Sequence, residues 1–286
     1  MASDIEISVQ REKAEAFRRM HDRRRILVLP NAWDALSARI FESAGFPAIA
    51  TTSAGVSYAI GYPDGEIVPR AEMIAAIGRI ARSVTVPVTA DIESGFARDG
   101  AQVAETIAQV IAAGAAGVNL EDTVQGAGRT LYELPIAVER IRAARAAAQA
   151  AGVPIVINAR SDVYLLGIGE KAGRFDHTVR RLNAYRAAGA DCLYAMGYFD
   201  AATIGRLAAA VDGPLNVMGL PGTPGVAELA RLGVARVSTA SGPARVAMTA
   251  TRKAADELMR TGSFEVFGGD TLSHQEANAL MAKRGA

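Results

Sequence analysis

The feature that most constrains this chain is a repeat. Short apolar runs rich in β-formers alternate with longer alanine-rich stretches that have helical spacing. The runs lie at Ile26–Leu29, Ala48–Thr51, Val88–Asp91, Val118–Leu120, Ile155–Ala159, Cys192–Ala195, Leu215–Met218 and Arg236–Ser238. Most are announced by the same punctuation: Ala44-Gly45, Ala113-Gly114, Ala151-Gly152, Ala188-Gly189 and Leu232-Gly233. A glycine there supplies the left-handed residue that ends a helix before the next strand. These glycines stand 69, 38, 37 and 44 residues apart, and the first gap holds two units because one strand enters through Val86-Pro87 instead. The apolar runs are continuous rather than alternating, as in strands buried on both faces.

Eight strand–helix units in 286 residues predict an α/β fold, a (β/α)8 TIM-type barrel. The competing architecture is an open doubly wound sheet, but no GxGxxG follows the first strand. The helices have their own signals. Asp34 caps Ala35–Ala44, and Pro69 precedes Ala71–Ser83 as a first-turn proline. Leu134–Ala151 and Asp176–Ala188 carry mixed charges at helical spacing. An amphipathic helix over Gln10–Asp22 is expected outside the barrel. After the last strand come Pro243–Thr261, a Gly-Gly break, and a further helical stretch from Ser273. One domain over 1–286 is expected, with the barrel over about 26–248 and C-terminal helices over about 249–286. That extension reads as an oligomer contact or as a surface cap.

Composition excludes several function classes. The 31 basic and 30 acidic side chains nearly cancel, so no global field would steer nucleic acid or an anionic membrane. The longest uncharged run, Ser43–Pro63, is too rich in glycine, serine and threonine for a membrane helix. The first residues carry charges where a signal peptide needs an apolar core. A single cysteine, Cys192, fits a reducing compartment, and the three histidines lie far apart. A cytoplasmic protein is expected.

In a barrel, chemistry sits at the carboxyl ends of the strands. Those ends carry Asp91 and Glu93, then Glu121 and Asp122, then Arg160, and no histidine. Carboxylates in that pattern suit a hard cation, Mg2+ or Mn2+, held through oxygens and waters. Arg160, one strand further round, suits a substrate carboxylate. The chemistry implied is that of a small anionic acid. Any one of these acids could instead cap a helix, Asp122 above all, and Asp64 reads equally as a turn residue. Cys192 opens a strand and reads as core, and His177 as surface. Gly219–Gly225 reads as a plain loop, because its two prolines remove amide donors.

Taken in order, Asn31-Ala32-Trp33-Asp34-Ala35, Thr52-Ser53-Ala54-Gly55, Pro63-Asp64-Gly65, Asp91-Ile92-Glu93-Ser94-Gly95, Leu120-Glu121-Asp122 and Asn158-Ala159-Arg160 resemble the isocitrate lyase and phosphoenolpyruvate mutase superfamily. The resemblance spans about Ile26 to Met248. It implies a barrel lyase that binds Mg2+ and a 2-oxo or 2-hydroxy carboxylate, and works next to an enolate. It implies Asp91 as the main metal-side carboxylate, with Asp64, Glu93 and Glu121 supporting it through waters. Ser53, Ala54 and Gly55 would hold the substrate carboxylate and oxo group, Arg160 would bind substrate, and Asn216 would sit near the variable end. It also implies a homo-oligomer, a dimer or tetramer, in which C-terminal helices are exchanged.

The sequence departs from that pattern in two places. The lyases carry Lys-Arg-Cys-Gly-His after the fourth strand, and the phosphonate-processing members a lysine and an asparagine. Here Thr123 to Tyr132 contains no cysteine, lysine, histidine or asparagine, and Ala195 and Met196 stand where the latter place a histidine. Arg129, Tyr132 and Tyr198 are the remaining candidates to grip the far end of a substrate. Gly126 and Gly128 would let the segment move as a lid. Three functions follow: a Mg2+-dependent carbon–carbon lyase or decarboxylase on a small 2-oxo or 2-hydroxy dicarboxylate, C–P chemistry on phosphonopyruvate, or a 2-oxo acid binder without turnover.

Overall fold

The computed structural model describes residues 4–126 and 128–282. Ala127, within the expected lid, and the ends of the expected 1–286 domain lie outside the described residues. The chain runs α1 (Asp4–Arg19), β1 (Leu27–Leu29), β2 (Asn31–Ala32), α2 (Ala35–Ser43), β3 (Ile49–Thr51), α3 (Ser53–Ala59), α4 (Arg70–Ser83), β4 (Val88–Asp91), α5 (Gly100–Ala112) and β5 (Gly117–Glu121). A small ribbon, β6 (Thr123–Val124) and β7 (Thr130–Leu131), follows, then α6 (Leu134–Ala150), β8 (Val156–Ser161), α7 (Arg174–Ala187), β9 (Cys192–Ala195), α8 (Ala201–Ala210) and β10 (Leu215–Met218). The chain ends with α9 (Val226–Arg231), β11 (Arg236–Ser238), α10 (Gly242–Thr261) and α11 (His274–Ala282).

The ladder order β1-β11-β10-β9-β8-β5-β4-β3-β2 is parallel throughout. Its two ends are consecutive in the chain, so the sheet closes into the expected barrel. Pro30 explains why the first barrel strand is read as two pieces. It has no amide to donate, so the strand pairs with β11 before it and with β3 after it. The Ala50 amide still reaches the Pro30 carbonyl, at 3.0 Å.

The structure corrects several expected boundaries. The fourth and fifth barrel strands run on through Glu121 and Ser161. Glu121 and Arg160 therefore stand on rigid strands rather than on loops. The N-terminal helix starts earlier than expected and is not a bystander outside the barrel. Its Phe17 is fully buried in the core, against the glycine at 117 on β5. A side chain at Gly117 would meet the Phe17 ring, Thr89 Oγ1 and the Val156 carbonyl, each at 2.9 Å. The absence of a side chain is what lets α1 close the amino end of the barrel.

Part of the C-terminal extension forms the expected surface cap. α11 lies back on α2, where Arg39 donates to the Leu280 carbonyl from Nε at 3.0 Å and Nη2 at 2.8 Å. α10 instead buries only Ala244. Among the described residues, no helix is long and apolar enough to cross a membrane.

Candidate active site

A cavity of about 260 Å3 opens at the carboxyl end of the strands and runs down into the barrel. Asp91, the last residue of β4, stands on its wall with both carboxylate oxygens engaged. Oδ1 accepts from Asn119 Nδ2 on β5 at 2.9 Å, and Oδ2 accepts from the Ser53 amide at 3.0 Å. Asn119 is held in turn by Asn158 Nδ2 of β8, at 2.9 Å. Three neighbouring strands thus fix one carboxylate. Thr52 caps α3, its side chain accepting from the Gly55 amide, so the first turn of that helix is set against Asp91.

Two more acids crowd the same side. Asp64 lies on the cavity wall, its carboxyl raised by burial and by Asp91. Glu93 is 3% exposed, and its Oε1 has no protein partner. Burial, then Asp64 and Asp91, push its carboxyl up to about 8. Its φ of +50° is a left-handed conformation that a glutamate rarely adopts. Such strain persists only where the surroundings hold it. Glu66 is part of that support: its carboxylate accepts from Ser94 Oγ at 2.7 Å and the Phe96 amide at 2.9 Å. That ties the Asp64 turn to the Glu93 loop.

Buried carboxylates in mutual repulsion, one with an orphaned oxygen, fit a bound cation. Among the described residues, no three acids converge closely enough to form a complete protein cage. Mg2+ needs none, since it keeps several waters and takes one or two carboxylates directly. A stability test follows. A carboxyl raised from its ordinary value to about 8 destabilises the fold as pH rises across that window, because the unfolded chain gives up its proton first. In EDTA, Glu93→Gln is expected to be more stable than wild type at pH 8, by up to about 1.4 kcal/mol per pH unit crossed. The gap should shrink toward pH 5 and when Mg2+ is added. Urea midpoints that run parallel across pH for the two proteins would refute this.

Arg160, two strands round from Asp91 on β8, is gripped from behind. Its Nε and Nη2 donate to Asp162 at 2.6 and 2.9 Å, and its Nη1 pairs with Glu121 at 2.8 Å. Burial works against its charge, but Asp162 and Glu121 outweigh burial and hold its pKa well above the usual range. Five N–H donors less three leaves two for a ligand. Asp122 points elsewhere: it accepts from Arg181 Nε and Tyr185 OH, each at 2.7 Å. It anchors α7 to the barrel.

Of the residues named from sequence, Ser53, Ala54, Asp64, Asp91 and Arg160 share the cavity wall. Gly55, Glu93, Glu121 and Asn216 lie off it. Gly55 faces α10, where a Cβ would meet Trp33 at 2.8 Å and Ala244 at 3.1 Å, so its bareness serves packing. Glu121 backs Arg160, with Gln125 Nε2 on its other oxygen at 2.7 Å. Asn216 is fully buried and donates to Ser238 Oγ at 3.1 Å. Cys192 is buried in the barrel with its thiol pushed up to about 11 by burial, so it is no nucleophile.

Of the three candidates for the far end, only Arg129 reaches the wall. Tyr132 lies under Arg140, 4.2 Å from its guanidinium carbon, and Tyr198 is 77% exposed. Asn119, Asp162 and Arg236 were not singled out from sequence. Asn119 sits mid-strand, Asp162 just past the more conspicuous Arg160, and Arg236 at the start of its strand, away from the mouth. The closed barrel brings Asn119 and Arg236 inward.

Comparison with known proteins agrees with this geometry. The family model described as phosphoenolpyruvate phosphomutase matches residues 17–259. A solved structure of a putative phosphonomutase from Burkholderia cenocepacia J2315 is 44% identical, with TM-score 0.82, covering 86% of this chain and 99% of that one. The solved 2,3-dimethylmalate lyase, described as a PEP mutase/isocitrate lyase superfamily member, is 30% identical, with TM-score 0.84, and 94% of each chain is covered. An oxaloacetate decarboxylase of Ectopseudomonas mendocina (strain ymp) is 31% identical over 229 residues, 78% of this chain and 76% of that protein.

Proposed function

This chain belongs to the phosphoenolpyruvate phosphomutase family, in the isocitrate lyase superfamily, and from that premise we propose that it is a carbon–carbon lyase that decarboxylates a small 2-oxo dicarboxylate of the oxaloacetate type. One observation carries the choice of reaction. The cavity wall holds two aspartates, three arginines and a tyrosine, and no histidine, cysteine or lysine. The tyrosine, Tyr194, is pushed by burial up to about 12 and stays protonated. Such a wall can stabilise negative charge, while Glu93, the carboxyl pushed up to about 8, lies off it. Decarboxylation demands little more than that. The C3–C4 bond breaks, its electron pair passes into an enolate with charge on the C2 oxygen, CO2 leaves, and a solvent proton returns to C3.

The residues divide the work. Mg2+ or Mn2+ would be held by Asp91, with Asp64, Glu93 and Glu121 supporting through waters. When bound, a divalent cation supplies Lewis-acid stabilisation of charge developing on a substrate oxygen. The Ser53 amide is committed to Asp91 and the Gly55 amide to Thr52, which leaves Ala54's for the substrate. The two remaining Arg160 donors take the C1 carboxylate in the same plane. Leu165 and Met196 make the apolar side of the cavity. A carboxylate that turns into neutral CO2 is better placed there than against a cation. Arg129 stands at the lid, where it closes the mouth over an anion.

Proton NMR of a panel tests the reading: oxaloacetate, 2,3-dimethylmalate, 2-methylisocitrate and phosphonopyruvate, with Mg2+. Pyruvate from oxaloacetate, faster than Mg2+ alone produces it, is expected. No acceleration with any member would sink it. The family model's own description favours one second reading, C–P chemistry on phosphonopyruvate, which a 31P shift change would reveal.

The same premise extends to assembly. Val246, Met259 and Phe264, on α10 and just beyond it, are 71%, 87% and 73% exposed. We place the contact between copies on α10 and the segment just beyond it, as a dimer or tetramer. Sedimentation should give a mass at least twice 29.9 kDa. Met259→Glu with Phe264→Glu should lower it, and a monomeric wild type would refute the assignment.

A further inference from the structure

The loop after β4 is strained, and a buried charge that the lyase reading does not use is spent on it. Glu93, Gly95 and Phe96 have φ of +50°, +87° and +50°. A phenylalanine in the left-handed region is rarer than a glycine there. Such strain persists only where neighbours hold it. Part of the hold is local. The Gly95 amide donates to the Ile92 carbonyl at 2.7 Å, and Thr106 Oγ1 donates to the Gly95 carbonyl at 2.7 Å. The Glu93 carbonyl accepts from the Glu121 amide at 2.9 Å, which ties the loop to β5.

The rest comes from Arg140, in the middle of α6. Its neighbours on the buried face are Ala137, Ile141 and Ala144, and Arg140 is itself 1% exposed. An arginine in an apolar stripe is costly unless its donors are used. Nη1 donates to the Ala97 carbonyl at 3.2 Å and Nη2 to the Ser94 carbonyl. Both acceptors are neutral, so the charge strengthens bonds to the loop instead of closing an ion pair. A guanidinium is a rigid planar fork, so two bonds from it fix the spacing of the two carbonyls. Gly95 and Phe96 lie between them. Tyr132 completes the clamp: its ring lies under the guanidinium, and its hydroxyl donates to the same Ala97 carbonyl at 3.2 Å.

We propose that Arg140 is a positioning residue of this loop: by fixing the Ser94 and Ala97 carbonyls it holds Glu93 in its left-handed conformation beside the carboxylate cluster. It touches neither metal nor substrate and acts through Glu93. The inference deepens the metal-side reading of that cluster and is independent of the reaction assigned to it.

Two readouts, neither of them turnover, test it. In Arg140→Met, Mn2+ binding, followed through the EPR signal of the free ion, should weaken about 10- to 100-fold, the usual cost of losing a group that orients a metal ligand. Amide hydrogen exchange reports the loop without a metal. The Gly95 and Glu121 amides, bonded within and onto the loop, should lose protection. Those of Leu193 and Ala235, bonded to the Pro214 and Leu215 carbonyls across the ring, should keep theirs. Arg140→Lys keeps the charge and loses the fork, so it should fall between wild type and Arg140→Met on both scales. It carries the test alone if methionine prevents folding. Protection lost evenly round the barrel, or unchanged at Gly95 and Glu121, would overturn the proposal. So would Mn2+ affinity unchanged in a variant whose loop has loosened. A wild type that binds no Mn2+, with the local loss of protection intact, would sink the metal reading and still bear out the hold on the loop.

Discussion

Asp91→Asn should lower kcat by about a hundredfold to a thousandfold while leaving the protein folded. The figure is that of removing one preorganised charge-stabilising group from an active site. The side chain is nearly isosteric, so the loss is electrostatic first. It is also local. Both Asp91 oxygens now accept from fixed donors, Asn119 Nδ2 and the Ser53 amide. An asparagine would turn an NH2 toward one of them, donor against donor, and either α3 or Asn119 must give way. In the metal-free protein that cost is partly offset, because the field of Asp91 raises both Asp64 and Glu93 and its removal relieves them. The signature is therefore paired: turnover falls, and the stabilisation that Mg2+ gives wild type disappears. Steady-state kinetics and melting curves with and without Mg2+ read both. A variant within tenfold of wild-type kcat would remove Asp91 from the centre of the site.

How far such a site can be read from sequence depends on where each residue sits in the barrel. Asp91 and Arg160 were legible because strand ends are marked by a switch from apolar to charged residues, and barrel chemistry collects there. The strand count was legible because each strand carries a short apolar, β-rich run between helical stretches. What was hidden lies inside the ring. Asn119, Asn158, Tyr194 and Arg236 are inward positions of strands that also carry outward apolar residues, and a linear pattern does not say which parity faces in. Gly55 shows the reverse error. Its place beside Ser53 and Ala54 implies a substrate contact, yet the helix turn carries it round to α10. α1 misled for a similar reason: its charges read as a surface helix, while one face, Ala14 with Phe17, closes the barrel floor.

Arg160→Met separates two roles that coincide in one side chain. If Arg160 only bound substrate, its loss would raise KM and leave the fold intact. The structure expects more. Asp162 is fully buried and Glu121 is 4% exposed, and Arg160 is the cation that both of them face. Burial raises the Glu121 carboxyl, and Arg160 is the group that pulls it back. Methionine fills similar space without charge and leaves two acids side by side. Breaking a buried pair from one side typically costs about 3–5 kcal/mol, and that loss is expected at pH 8. It should lessen as pH falls. With its cation gone, Glu121, already raised by burial, titrates further above its unfolded value, so the folded state binds the extra proton and stability rises toward pH 5. Arg160→Met with Asp162→Asn should recover part of the loss at pH 8, because the amide brings no charge. Lysine is not expected to rescue, since one ammonium cannot hold the Asp162 fork and Glu121 together. Urea unfolding at pH 5.5 and pH 8 measures all of this. An Arg160→Met variant as stable as wild type at pH 8 would make Arg160 a substrate ligand alone, and would leave the buried pair of acids without an explanation.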